Sequence, residues 1–108
     1  MNFEWDARKA ASNLRRHGVS FAAGARALAA GNVLERPDER QDYGEERTFA
    51  LALLGDQVLA IAYTVRGDAV RLISVRRASR NETKTYWKSF RQAEDRREEE
   101  RDRPSERR

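Results

Sequence analysis

The chain has 108 residues, a net charge of +4, 37% charged and 39% hydrophobic residues, and no cysteine. That length fits one domain with a modest core, and the missing cysteine excludes a disulfide scaffold or a thiolate metal site. No apolar run approaches the roughly 20 residues of a membrane span, and the start Met1-Asn2-Phe3-Glu4 lacks a signal-peptide pattern, so a cytoplasmic protein is expected.

The charge is unevenly placed. Residues 91–108 hold seven basic and seven acidic side chains, so the whole +4 belongs to residues 1–90, with 15 basic against 11 acidic. A clustered excess of this kind points to a polyanionic partner better than a high isoelectric point does.

In chain order, Asp6 is placed to cap a first helix that runs to about Arg16 and stops at Gly18. Ala7, Ala10, Ala11 and Leu14 form its expected core stripe. Asp6, Lys9, Asn13 and His17, with Arg16 beside them, form a polar flank that could line a groove. Ser20 caps a second helix, whose buried side would be Phe21, Ala25, Leu28 and Ala29, and Gly31-Asn32 ends it. Val33 and Leu34 suggest a short strand before a polar loop over 36–44. Three clearer strands follow at 48–54, 58–65 and 69–75, joined by the short turns Gly55-Asp56 and Arg66-Gly67-Asp68. In the first of them Phe49, Leu51 and Leu53 alternate with Ala50 and Ala52, which gives one bulky and one small face.

Ser79 and Glu82 have capping-box spacing, so a last helix is predicted from about Arg80. Its electropositive start lies beside Arg76 and Arg77, a combination suited to phosphate. From position 71 to 91 the cations Arg71, Arg76, Arg77, Arg80, Lys84, Lys88 and Arg91 meet one acid, Glu82. Thr83, Tyr86, Trp87 and Phe90 are expected to pack inward. The predicted architecture is α+β: two N-terminal helices, an antiparallel sheet of about four strands and a C-terminal helix. Residues 1–90 make the domain, and 91–108 a charged tail, either an extended helix ended by Pro104 or a disordered segment.

Several of these pieces, taken in order, resemble BrnT-type toxins. They are Phe3-Glu4-Trp5-Asp6, Lys9, Asn13, the run Arg16-His17-Gly18-Val19-Ser20-Phe21, Gly44-Glu45-Glu46-Arg47, Arg71 to Ala78, and Tyr86. Arg16 stands where the family often has lysine, Phe49 where it has tryptophan and Val75 where it has alanine. The resemblance spans roughly residues 2–87. It implies a ribonuclease toxin with a fold similar to RelE toxins, without a cofactor, silenced by a BrnA-type antitoxin that also binds the promoter DNA of the pair.

Metal-free RNA cleavage needs a base for the 2′-hydroxyl, cations for the phosphorane and an acid for the leaving 5′-oxygen. Arg76 and Arg77, with Arg71 on the preceding strand, are the first choice for the phosphate. Simple strand alternation puts Arg71 and Arg77 on the face opposite Arg76. His17, the one histidine, is a base or acid candidate, or a cap for its helix end. Glu45, beside Glu46 and Arg47, is a second base candidate, or an ion pair that pins a loop. Lys9, Arg16, Arg47, Arg71, Arg80 and Lys84 complete the expected RNA-binding set. Tyr86 reads as core rather than acid, and Trp87 as packing or as a platform for a base. A basic domain that binds nucleic acid or a partner without cutting is the alternative function. One histidine and no cysteine leave no metal-ligand spacing.

Overall fold

The computed structural model describes residues 1–39 and 44–102, with side chains as far as Gln92. The elements are β1 (Asn2–Glu4), α1 (Ala7–His17), α2 (Phe21–Ala30), β2 (Val33–Pro37), β3 (Thr48–Leu54), β4 (Gln57–Arg66), β5 (Ala69–Arg77) and α3 (Arg80–Asp102). Part of the expected 36–44 loop and the end of the tail, with Pro104, lie outside the described residues. Among the described residues no helix is long and apolar enough to cross a membrane.

The α+β class agrees with the sequence. The sheet, however, has five strands in the order β1-β5-β4-β3-β2. The unforeseen strand, β1, pairs parallel to β5, with Phe3 opposite Val70 and Glu4 opposite Arg71. The sheet is therefore mixed, and only its β2–β5 part is the expected antiparallel meander.

Both faces of the sheet carry helices, as the alternation in β3 requires. Ala50 and Ala52 lie in the core beneath α2, with Phe21, Ala27, Leu28, Ile61, Leu72 and Val75. Phe49 and Leu51 face the other way and enclose Tyr86 of α3 together with Val58 and Ala60. At Gly24 the α2 backbone meets β5 directly: a Cβ there would stand 2.6 Å from Val75 Cγ2. The small residue, rather than the expected Ala25 and Ala29, makes the close contact. Ala29 is exposed and Ala25 half-buried, whereas Phe21, Gly24, Ala27 and Leu28 are buried.

The first helix is capped as predicted. The Asp6 carboxylate accepts from the Lys9 N–H at 3.0 Å, and Gly18 closes the end at φ 70°. Its buried face differs from the alanine stripe, because Ala7, Ala11 and Leu14 are exposed. Asn13 is the buried residue instead. Its amide accepts from the Val75 N–H at 3.1 Å and donates to the Val75 carbonyl at 2.7 Å and the Val19 carbonyl at 3.1 Å. The Val75 N–H and C=O lie on the β5 edge beyond the end of β1, and Asn13 satisfies both as a neighbouring strand would. The polar flank around Asn13 thus seats the helix at this point instead of lining a groove.

Candidate nucleic-acid interface

Three features bring the arginines of β5 into place. The strand runs on to Arg77, so Arg76 and Arg77 belong to the sheet and not to a loop before the helix. Alternation then sends them to opposite faces. Between these two and Arg71 the β4–β5 pairing slips, with Ala62 opposite Ser74 but Tyr63 opposite Leu72. The extra residue resets the alternation, which is why Leu72 and Val75 share one core.

The slip corrects one expectation. Arg71 lies on the same face as Arg76, and Arg77 alone points to the α1–α2 side. Arg71 donates to Glu4 at 3.1 Å across the β1–β5 pair, on the face opposite Phe3 and Val70, which join the α1–α2 core. Arg77 lines a cavity of about 320 Å³ with Leu14, Gly18, Ser20 and Ala23 of the α1–α2 layer.

On the α3 side, Arg36, Phe49, Ala62 and Ser74 form one row across β2 to β5, and Leu34, Leu51, Ala60 and Arg76 form the next. The Arg36 guanidinium carbon lies 5.0 Å from the Phe49 ring centroid, and that of Arg76 lies 6.0 Å from it. Two cations thus share one aromatic ring, an attraction worth about 0.5–1 kcal/mol each where solvent reaches them. Beside the Phe49 ring the row continues with small side chains, Ala62 and Ser74, while Ala60 of the next row lies beneath Tyr86. Beyond Phe49, Arg47 and Thr64 extend the same face, and the Thr64 hydroxyl donates to the Glu46 carbonyl at 2.7 Å. Glu45 stands at this rim, 3.6 Å from Arg47 and 3.5 Å from Arg66. A pocket of about 270 Å³ opens beside Arg36, lined by Leu34, Leu51, Asn81, Glu82 and Thr85.

The predicted capping box is present. Glu82 accepts from the Ser79 N–H at 2.7 Å, and the Glu82 N–H donates to the Ser79 hydroxyl at 3.1 Å. The same carboxylate takes Arg76 in a two-point contact at 2.7 and 2.9 Å. One glutamate therefore caps α3 and aims the guanidinium. The Arg76 hydrogen bonds, helped by the Ser79 N–H, lower the Glu82 carboxyl from an ordinary 4.5 to about 2. A carboxylate so stabilised is a poor base, and its role is to orient Arg76.

That coupling makes a stability prediction. A depressed folded-state pKa contributes stability that is complete above about 4.5 and is lost as pH falls toward 2. Because the pair is partly exposed, its contribution is discounted to about 1–2 kcal/mol. Glu82→Gln keeps a capping acceptor and removes the charge. Urea unfolding should show the variant weaker by that amount at neutral pH, with the gap closing toward pH 2–3. A gap independent of pH would contradict the ion pair as its source.

The expected residues separate into three groups. Arg47, Arg71, Arg76 and Glu45 belong with the α3-side face. Lys9, Arg16 and His17 belong to α1, which packs against β5 from the opposite side, where Arg77 also points. Arg80 and Lys84 are exposed on the first turns of α3. Tyr86 is buried, as expected, and donates to the Asn32 carbonyl at 2.8 Å; burial raises its pKa. Trp87, expected to pack inward, is 41% exposed. The sequence reading missed Arg36 and Phe49 as partners in a site. Their signal is cross-strand, because they are neighbours only once β2 and β3 pair in register.

A family model described as "Ribonuclease toxin, BrnT, of type II toxin-antitoxin system" matches residues 5–82. The matched stretch runs from the residue after β1 to the glutamate that holds Arg76. No curated protein matches the chain.

Proposed function

The chain belongs to the BrnT family of ribonuclease toxins of type II toxin–antitoxin systems, and from that premise we propose a metal-independent endoribonuclease centred on the α3-side face of the sheet. The observation that carries this placement is the pair of guanidinium groups, Arg36 and Arg76, over Phe49, beside the small side chains Ala62 and Ser74. Substrate phosphate meets Arg76 and Arg36 there, with Arg47 and Arg71 on the same face, so fixed positive charge awaits the phosphorane. Glu45 at the rim takes the 2′-hydroxyl proton. The 2′-oxygen then bonds to phosphorus as the P–O5′ bond breaks, and the leaving 5′-oxygen takes its proton from water while Glu45 keeps the one it removed. The products are a 2′,3′-cyclic phosphate and a 5′-hydroxyl. Arg80 and Lys84 guide flanking phosphates.

The alternative centre is Arg77 at the cavity on the α1–α2 side, with His17, Lys9 and Arg16 on α1, the helix packed on that side of the sheet. One phosphate cannot meet both sets, because a sheet stands between them.

The antitoxin is of BrnA type, acts in the cytoplasm by covering the basic α3-side face, and carries the complex to promoter DNA. Blocking phosphate access is the simplest inhibition that this charge distribution allows.

The test is to incubate the purified, antitoxin-free chain with a defined RNA in EDTA and to identify the ends. Cyclic-phosphate and 5′-hydroxyl ends are expected. Cleavage that appears only on adding a divalent ion would overturn the metal-independent mechanism, and binding without cleavage would favour a non-catalytic module.

A further inference from the structure

The family match ends at Glu82, yet α3 continues to Asp102, and the two cations placed on flanking phosphates, Arg80 and Lys84, open a stripe that runs on along the helix. Arg80, Lys84, Trp87, Lys88 and Arg91 are all exposed. They stand at i, i+4, i+7, i+8 and i+11, which is one stripe along a helix. No acid occurs between Glu82 and Glu94, so the stripe is positive throughout its described side chains.

Trp87 is the aromatic member of this stripe. It is 41% exposed, and its ring meets buried Tyr86 at 5.1 Å and 87°. The core therefore holds the indole in place while leaving much of its surface to solvent. A helix face that docks protein presents several apolar anchors at i, i+3 or i+4, and i+7. Here a single indole sits among four cations, which is the composition of a single-strand stacking platform. Arg80, Lys84 and Lys88 are spaced by about 6 Å along the helix axis, comparable to the step between phosphates of an extended strand.

We propose that this stripe is a second RNA contact, in which an unpaired stretch lies along α3, one base stacks on Trp87, and the flanking cations take its phosphates. The proposal rests on the reading of the chain as an RNA-cleaving protein. It adds a preference for substrates with a single-stranded segment beside the cleaved bond.

The probe is a short 2′-O-methyl oligouridine, whose blocked 2′-oxygen cannot attack phosphorus, so binding is measured whether or not the chain cuts. Trp5→Phe leaves Trp87 as the sole indole, since the chain has two tryptophans. In that background the strand should quench the fluorescence. Trp87→Ala should weaken binding of a labelled strand roughly tenfold, within the range for one stacked base. Lys84→Gln/Lys88→Gln, which leaves the core intact, should reduce the slope of log K against log salt by about 1.4, or roughly 0.7 per cation.

Duplex RNA should compete poorly. Unchanged affinity in Trp87→Ala, an unchanged salt slope in the double variant, or equal competition by duplex would each overturn the proposal. Quenching by an acidic peptide but not by the strand would also overturn it, in favour of a protein partner. Intact quenching without cleavage in the EDTA assay would remove the catalytic reading and leave this contact standing.

Discussion

Asn13→Ala is expected to lower stability by about 3–4 kcal/mol, because a buried group left without its hydrogen bond costs about 1–3 kcal/mol and three such bonds end on this side chain. The Val75 N–H, the Val75 carbonyl and the Val19 carbonyl all lose their partner. Val75 is fully buried, so water does not readily replace the amide. In a domain of about 100 residues this corresponds to a melting temperature lower by roughly 10–25 °C. Asn13→Asp provides the control for mechanism. It keeps the acceptor for the Val75 N–H but removes both donated bonds and turns a carboxylate toward two carbonyl oxygens, so it should be at least as destabilised near neutral pH. Calorimetry on the two variants decides the matter. If Asn13→Ala melts within a few degrees of the parent, α1 is held by apolar contact and the amide is incidental.

The same residue shows what was legible in the sequence and what was not. Features decided within a few residues were read correctly: the Asp6 and Ser20 caps, the Gly18 and Gly31 stops, the Ser79–Glu82 box and the three-strand meander. Each depends on local backbone chemistry, which a single sequence displays. The buried face of α1 departs from the alanine stripe, since Ala7 and Ala11 are exposed and Asn13, expected to line a groove, is buried. Its burial is dictated by unpaired backbone groups on β5, which lies 62 positions away in the chain. The β1 strand is silent in the sequence for a related reason. Three residues with one apolar side chain are not a strand by pattern, and they become one only because β5 offers a parallel edge. The slip in β4–β5 is also silent locally, since Leu72-Ile73-Ser74-Val75 reads as an unbroken strand. For the candidate site this slip had the largest consequence, because it decides which arginines share a face.

Arg76 and Arg77 are adjacent in sequence yet point to opposite sides of the sheet, so their substitution should separate the two possible centres by a large factor. On the α3-side assignment, Arg76→Ala lowers the cleavage rate roughly 10²–10³-fold, the usual loss when one preorganised donor to the transition-state charge is removed. Arg77→Ala, at the α1–α2 cavity, should change it by no more than a few-fold. Removing the Arg76 guanidinium also leaves Glu82 without its ion pair, and a weakened α3 start could mimic a catalytic defect. Two further measurements separate these effects. Arg76→Ala combined with Glu82→Gln should regain stability in urea without regaining cleavage. Arg36→Ala, which leaves the capping box untouched, should itself lower the rate at least tenfold if both guanidinium groups over Phe49 hold the phosphate. The converse outcome is equally definite. An inactive Arg77→Ala beside an active Arg76→Ala would move the centre to the α1–α2 side and make His17 the base or acid to test next. Phosphate on that side would meet Arg77 near the α2 N-terminus capped by Ser20, and the α3-side cations would then be left to guide the strand and to face the antitoxin.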